Sequence, residues 1–225
     1  QYPSIIIPIS GSMDNLHQMK FQYIISFQNS LNLWNPVNNQ CQPILGLNLD
    51  ATNSRINKNT NKPEPTFRFN DGKCDPLGRL WIGTMDLYDR PNRGGLYKLH
   101  TNGVLEKRLD CSLSNGLGWN SEGSRMYYID TIERKVQIFQ YDIKIGEIVS
   151  KLDEIDLSEE DGKPDGMTVD ANGYLWIAMW DGGQIIHVNP QTKLIQNRIK
   201  LSVSRPTKCI IGGPNLNQLM VTSAK

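Results

Sequence analysis

The chain has 225 residues, enough to bury one substantial core, and its 38% hydrophobic content is that of an ordinary soluble globular protein. With Lys+Arg 24 against Asp+Glu 23 the formal charge is +1, so no global field draws it onto nucleic acid or an anionic membrane surface. A small, specific ligand is the expected partner.

Residue 1 is Gln1, so the chain is expected to begin inside a longer gene product. Residues 4–9, Ser-Ile-Ile-Ile-Pro-Ile, form an apolar stretch far too short to span a bilayer, and a cytoplasmic location is expected. A first strand of the repeat described next is expected over residues 19–25, followed by Ser30-Leu31-Asn32-Leu33-Trp34. Residues 53–63 are polar and without period, and an inserted surface loop is expected over residues 51–65.

From residue 75 the chain is self-similar. Asp75-Pro76-Leu77-Gly78-Arg79-Leu80-Trp81-Ile82-Gly83 matches Asp170-Ala171-Asn172-Gly173-Tyr174-Leu175-Trp176-Ile177-Ala178 almost residue for residue, and weaker copies begin at Asn120 and Pro214. The register marks Leu80, Met126, Leu175 and Leu219 stand 46, 49 and 44 residues apart, the period of a β-propeller blade. Behind each mark lies a second apolar element, as in Gly95-Leu96-Tyr97-Lys98-Leu99, Val136-Gln137-Ile138-Phe139 and Gln184-Ile185-Ile186-His187-Val188. Each ends in Gly, Asn, Asp or Pro turn chemistry. Residues 152–160 are the best helix candidate, but short and acidic, and read as a loop or a single turn. The fold class is all-β, a propeller whose first and last blades are expected to be incomplete. Both ends are expected to be cut, since no outer strands follow the last register strand.

Cys41, Cys74, Cys111 and Cys209 are scattered singly and read as buried free thiols. His17, His100 and His187 show no partner pattern that supports a Ser-His-Asp arrangement or a zinc site. Trp81 and Trp176, at equal repeat positions, read as core.

The segments before the register strands are Arg68-Phe69-Asn70-Asp71-Gly72-Lys73, Ser114-Asn115-Gly116-Leu117, Pro164-Asp165-Gly166-Met167 and Arg205-Pro206-Thr207-Lys208-Cys209. In a propeller these lie on the innermost strands and converge at the channel, which makes Asn70, Asp71, Asn115 and Asp165 neighbours. Carboxylates with side-chain amides, and no thiolate or imidazole cluster, suit a hard divalent cation such as Ca²⁺ or Mg²⁺. Taken singly, each Asn-Gly or Asp-Gly pair reads first as a structural turn and Arg68 as a surface arginine; recurrence at the same place in three successive repeats is what sets the site reading level with the turn reading.

These motifs, with Gly83-Thr84-Met85 and Tyr127-Tyr128-Ile129-Asp130, resemble the regucalcin family, which includes senescence marker protein, gluconolactonase and luciferin-regenerating enzyme-like proteins. The resemblance implies a six-bladed β-propeller, hydrolysis of sugar lactones, and one divalent cation, Ca²⁺ foremost with Zn²⁺ or Mn²⁺ as substitutes. It implies Asn115 and Asp165 as metal ligands, Asp165 as the catalytic proton acceptor and donor, and Arg68 and Asn70 as the substrate-binding pair. The family's further ligand, a glutamate in a Gly-Glu-x-Pro-x-Trp type of motif, has no counterpart in these residues, which implies a weakened metal site. The loop at residues 85–90 is shorter than the family's, with Tyr88 or Asp89 as candidates for its acidic contact. The expected partner is a sugar lactone, with no nucleic acid or membrane, and the expected state a monomer or weak dimer. The alternative function is a non-catalytic calcium-binding regulatory or interaction propeller.

Overall fold

The computed structural model describes residues 3–9, 21–47, 54–56, 58–59, 61, 63–88 and 90–225. The described residues form strands and turns and include no helix. Strands β1 (Pro3–Pro8), β2 (Tyr23–Phe27), β3 (Ser30–Asn35) and β4 (Gln40–Gly46) make the first antiparallel sheet. A hairpin of β5 (Ser54–Ile56) and β6 (Pro63–Pro65) follows. The second sheet joins β7 (Phe67–Cys74), β8 (Leu80–Asp86), β9 (Gly94–Leu99) and β10 (Leu105–Cys111). The third joins β11 (Ser114–Trp119), β12 (Arg125–Asp130), β13 (Lys135–Asp142) and β14 (Glu147–Asp156). The fourth joins β15 (Lys163–Val169), β16 (Leu175–Trp180), β17 (Gln184–Val188) and β18 (Ile195–Lys200), and β19 (Pro206–Gly212) pairs with β20 (Gln218–Ser223).

Each large sheet is a meander in sequence order, as short turns between successive strands require. The turns before the register strands are built alike. Asp75 Oδ1 accepts from the N–H groups of Leu77 and Arg79, and Asp170 Oδ1 from those of Asn172 and Tyr174, while Gly78 and Gly173 take positive φ. An Asx turn closed by a left-handed glycine explains why Asp and Gly recur at that spacing.

The sheets fan out from a row of first strands: β7 packs against β1 and β11, and β15 against β11 and β19. The buried core lies between neighbouring sheets. One cluster joins Ile129, Ile138 and Ile155 of the third sheet to Met167, Ile177 and Ile186 of the fourth. A second joins Trp81 and Leu96 to Leu117, Met126 and Phe139.

Several expectations change. Residues 152–156 continue β14, where Asp153, Glu154, Ile155 and Asp156 pair with β13, so the acidic run is the outer edge of a sheet. The first sheet has four strands where an incomplete blade was expected, because residues 4–8 supply its inner strand. The described part of residues 51–65 includes the β5–β6 hairpin, and the first register strand is β2, with residues 19 and 20 outside the described residues. All four cysteines are free, yet only Cys111 and Cys209 are buried; Cys74 is half-buried and Cys41 is exposed. Trp81 is fully buried, but Trp176 is only partly so and stacks on His187 with ring centroids 4.0 Å apart. His187 has a carboxylate partner, Asp170 at 3.2 Å, and His100 has Glu106 at 2.7 Å; His17 lies outside the described residues.

Candidate functional site

The first strand of each sheet except the β5–β6 hairpin carries a register break. In β7 it falls between Phe69 and Gly72, in β11 between Ser114 and Leu117, in β15 between Pro164 and Met167, and in β19 between Pro206 and Lys208. The residues released from the ladder are Asn70 and Asp71, Asn115 and Gly116, Asp165 and Gly166, and Thr207. A bulge re-aims side chains that a regular strand would hold in alternation. Here Arg68, Asn70, Asp71, Asn115, Asp165 and Lys208 all line a single cavity of about 820 Å³.

The glycines in these motifs are therefore not turn residues. Gly72, Gly116 and Gly166 sit in strands, none with a left-handed φ. A Cβ on Gly116 would stand 2.8 Å from the Asp165 carbonyl oxygen, and one on Gly166 would stand 2.6 Å from that of Thr207. Glycine lets each inner strand approach the next closely enough for the polar residues to meet.

A relay of hydrogen bonds ties three sheets together at the cavity. Asn70 Nδ2 donates to the Ser114 carbonyl at 2.8 Å and to Asn115 Oδ1 at 3.1 Å. Asn115 Nδ2 donates to Thr131 Oγ1 at 2.7 Å, and that hydroxyl donates to the Pro164 carbonyl at 2.7 Å, one residue before Asp165. Asn115 is thus buried with its amide orientation fixed from both sides. Thr131 was not legible as a site residue, because it lies one position beyond β12 and outside the repeated motif.

The charges are arranged in opposition. Asp165 is half-buried, and burial together with the Asp71 carboxylate pushes its pKa up from 3.8 to about 7, although Lys208 and Arg68 act against the rise. Burial holds the Arg68 guanidinium below its ordinary value, partly offset by Asp165. Asp71 Oδ1 accepts from Gly72 N–H at 2.8 Å and from Lys208 Nζ at 2.5 Å. Its Oδ2 is buried and has no hydrogen-bond partner among the described residues.

The sequence had placed Arg68, Asn70, Asn115 and Asp165 together, and they line the same cavity. Lys208 was missed as a participant. Its signal was present in the alignment of the inner-strand segments, where Pro206-Thr207-Lys208 stands against Pro164-Asp165-Gly166. Tyr88 is exposed, with Arg55 and Arg90 over its ring, and does not line the cavity; Asp89 lies outside the described residues.

Whether the residues present suit a divalent cation is a question of donor chemistry. Among the described residues no three His, Cys, Asp or Glu side chains gather as a metal cluster. Two carboxylates and an amide face one cavity, and one buried carboxylate oxygen, Asp71 Oδ2, is orphaned. Such a set fits a hard, oxygen-seeking cation, with water completing the shell.

Residues 39–225 match the family described as SMP-30/Gluconolactonase/LRE-like region. The chain belongs to this family. Among curated members it is 40% identical over 160 residues to a candidate sugar lactone lactonase of Bacillus subtilis (strain 168), covering 71% of this chain and 55% of that one. It is 39% identical over 167 residues to regucalcin of Xenopus laevis, covering 72% and 56%. A solved luciferin-regenerating enzyme superposes with a TM-score of 0.84 at 29% identity, covering 100% of this chain and 71% of that one. The chain therefore spans little more than half the length of these two curated relatives. Among the described residues no helix is long and apolar enough to cross a membrane.

Proposed function

We propose that the protein is a divalent-metal-dependent hydrolase of sugar lactones, with Asp165 as its proton acceptor and donor. The observation that carries this reading is the convergence of Arg68, Asn70, Asn115 and Asp165 on one cavity. Burial and the Asp71 carboxylate raise the pKa of the Asp165 carboxyl in the cation-free protein, whereas a cation held beside it would favour the carboxylate, the form that accepts a proton.

Asn115 and Asp165, with Asp71 beside them, are the residues that would hold the cation. Bound there, a divalent cation supplies Lewis-acid polarisation and electrostatic stabilisation of negative charge. The work of the chain's own residues follows from their hydrogen bonds. Asn70 spends its amide N–H group on Ser114 and Asn115, which leaves its carbonyl oxygen to accept from a sugar hydroxyl. Arg68 gives one N–H to the Phe69 carbonyl at 3.0 Å, leaving the other side of the guanidinium for the lactone ring or carbonyl oxygen. Asp165 takes the proton from the attacking water and returns it to the ring oxygen as the C–O bond breaks. One carboxyl serves both steps because the proton it takes in the first is the one it returns in the second.

The test is hydrolysis of glucono-δ-lactone in a pH-indicator assay with Ca²⁺, Zn²⁺ or chelator present, comparing the protein with Asp165→Asn. Loss of about 10²-fold or more in the variant, with chelator abolishing the remainder, is the expected outcome for a general base. Equal rates in the two proteins would remove Asp165 from the chemistry. Absence of turnover in the parent with retained Ca²⁺ binding would transfer the protein to the non-catalytic regulatory reading.

A further inference from the structure

Lys208 is the one charged residue lining the cavity that the proposed chemistry leaves unused. Its Nζ lies 2.5 Å from Asp71 Oδ1, in a salt bridge whose side chains are 39% and 10% exposed respectively. A partly exposed ammonium thus meets a largely buried carboxylate. The same oxygen also takes the Gly72 N–H, so the acceptor capacity left on Asp71 is chiefly that of Oδ2, which is buried and unpartnered among the described residues. An oxygen-seeking cation at Oδ2 would sit across a single carboxylate from a fixed positive charge.

The wider charge count points the same way. Arg68 and Lys208 line the cavity with Asp71 and Asp165, and Lys73 stands close enough to feel both Lys208 and Asp71. Two cationic side chains already face the two carboxylates and a third lies within electrostatic reach, whereas cation affinity at oxygen sites grows with the excess of negative ligands. Of the three, only Lys208 is held by Asp71 itself and is free to leave, since its four-carbon stem is flexible and more than a third exposed.

We infer that Lys208 is a built-in competitor for the cation site: its ammonium occupies Asp71 in the cation-free protein, must swing out for a divalent cation to bind, and sets the affinity low. This inference rests on the reading of the cavity as a cation site and deepens it by naming the residue that regulates occupancy. Lys208 acts here as an affinity-setting residue and takes no part in proton transfer.

The experiment is calorimetric titration of Ca²⁺ into the full chain and into Lys208→Met, Asp71→Asn and the double variant, without substrate. Removing the ammonium should tighten Ca²⁺ binding by roughly ten- to a hundredfold, the scale of a unit charge opposing a divalent ion at the edge of solvent. Asp71→Asn should weaken binding, and in the double variant the gain from Lys208→Met should vanish, because the two effects share one carboxylate. Lys208→Ser, smaller and polar, should reproduce the gain if Lys208→Met folds poorly, and melting temperatures establish which variant to read. Equal or weaker Ca²⁺ binding in both Lys208 variants, an undiminished gain in the Asp71→Asn background, or no binding in any chain would overturn the inference. The titration is blind to turnover, so a tightened but inactive protein would uphold Lys208 as competitor while sinking the lactonase reading. An active protein indifferent to Lys208 would do the reverse.

Discussion

At Asp165, burial and the Asp71 carboxylate favour the neutral acid while Lys208 and Arg68 favour the anion, and the neutral form gains. The sign of the consequence for stability follows. The folded protein holds this proton more tightly than the unfolded chain, so Asp165 imposes no penalty below about pH 4. The penalty grows as pH rises through the interval from 3.8 to about 7 and is complete above it. Asp165→Asn should therefore unfold at a higher temperature than the parent at pH 8, by the equivalent of up to about 4 kcal/mol, with the gap closing towards pH 4. Thermal melts across that range check it, and a gap that widens on acidification would mean that the carboxylate is stabilised as the anion.

At the scale of the element, the bulges of β7, β11 and β15 depend on glycines with no room for a methyl group. At Gly166 the obstruction is the Thr207 carbonyl oxygen, a backbone atom that cannot rotate away as a side chain could. Gly166→Ala should cost about 1–3 kcal/mol by overpacking. It should lower the lactonase rate as well, since the strand that must shift carries Asp165. Urea denaturation and the pH-indicator assay read the two effects, and an unchanged denaturation midpoint would show that the inner strands are less closely apposed than described. This element also marks how far the sequence could be read. The Asp-x-x-Gly turns and register strands were legible because an Asx turn and an apolar strand each leave a local pattern, repeated in the Asp75 and Asp170 copies. That Asn115-Gly116 and Asp165-Gly166 sit in bulged strands was not, because their glycines answer to the neighbouring sheet and not to local conformation. The partners Thr131 and Lys208 were hidden for the same reason. A threonine after a strand and a lysine near the last register strand acquire meaning only when Pro164 and Asp71 arrive from elsewhere in the chain. The acidic outer strand β14 was missed because edge strands bury little and so lack the alternation that marks a half-buried one.

On the scale of the whole molecule, no sheet owns its core. Met167, two residues beyond Asp165 on β15, is fully buried in a cluster built from the third and fourth sheets. The second and third sheets are joined by polar bonds as well as apolar ones: Tyr141 of β13 donates to Asp75 Oδ2 at 2.7 Å and accepts from Trp81 Nε1 at 3.1 Å. Sheets that share their cores this way lose most of their buried area together, so the protein should unfold in one cooperative step despite its repeated architecture. Met167→Ala tests both the sharing and its link to the site. The cavity it leaves should cost about 2–5 kcal/mol, the range for truncating a large buried side chain. If the sheets are coupled, tryptophan fluorescence in a background with Trp34, Trp176 and Trp180 replaced by Phe should shift to the same lower urea midpoint as far-ultraviolet circular dichroism, since Trp81 and Trp119 then report on the second and third sheets and dichroism on all of them. Two separated transitions would mean that the fourth sheet can open alone. In that case Asp165 would be carried on the weakest part of the fold, and its approach to Asn115 and Asp71 would be a local equilibrium instead of a property of the native state.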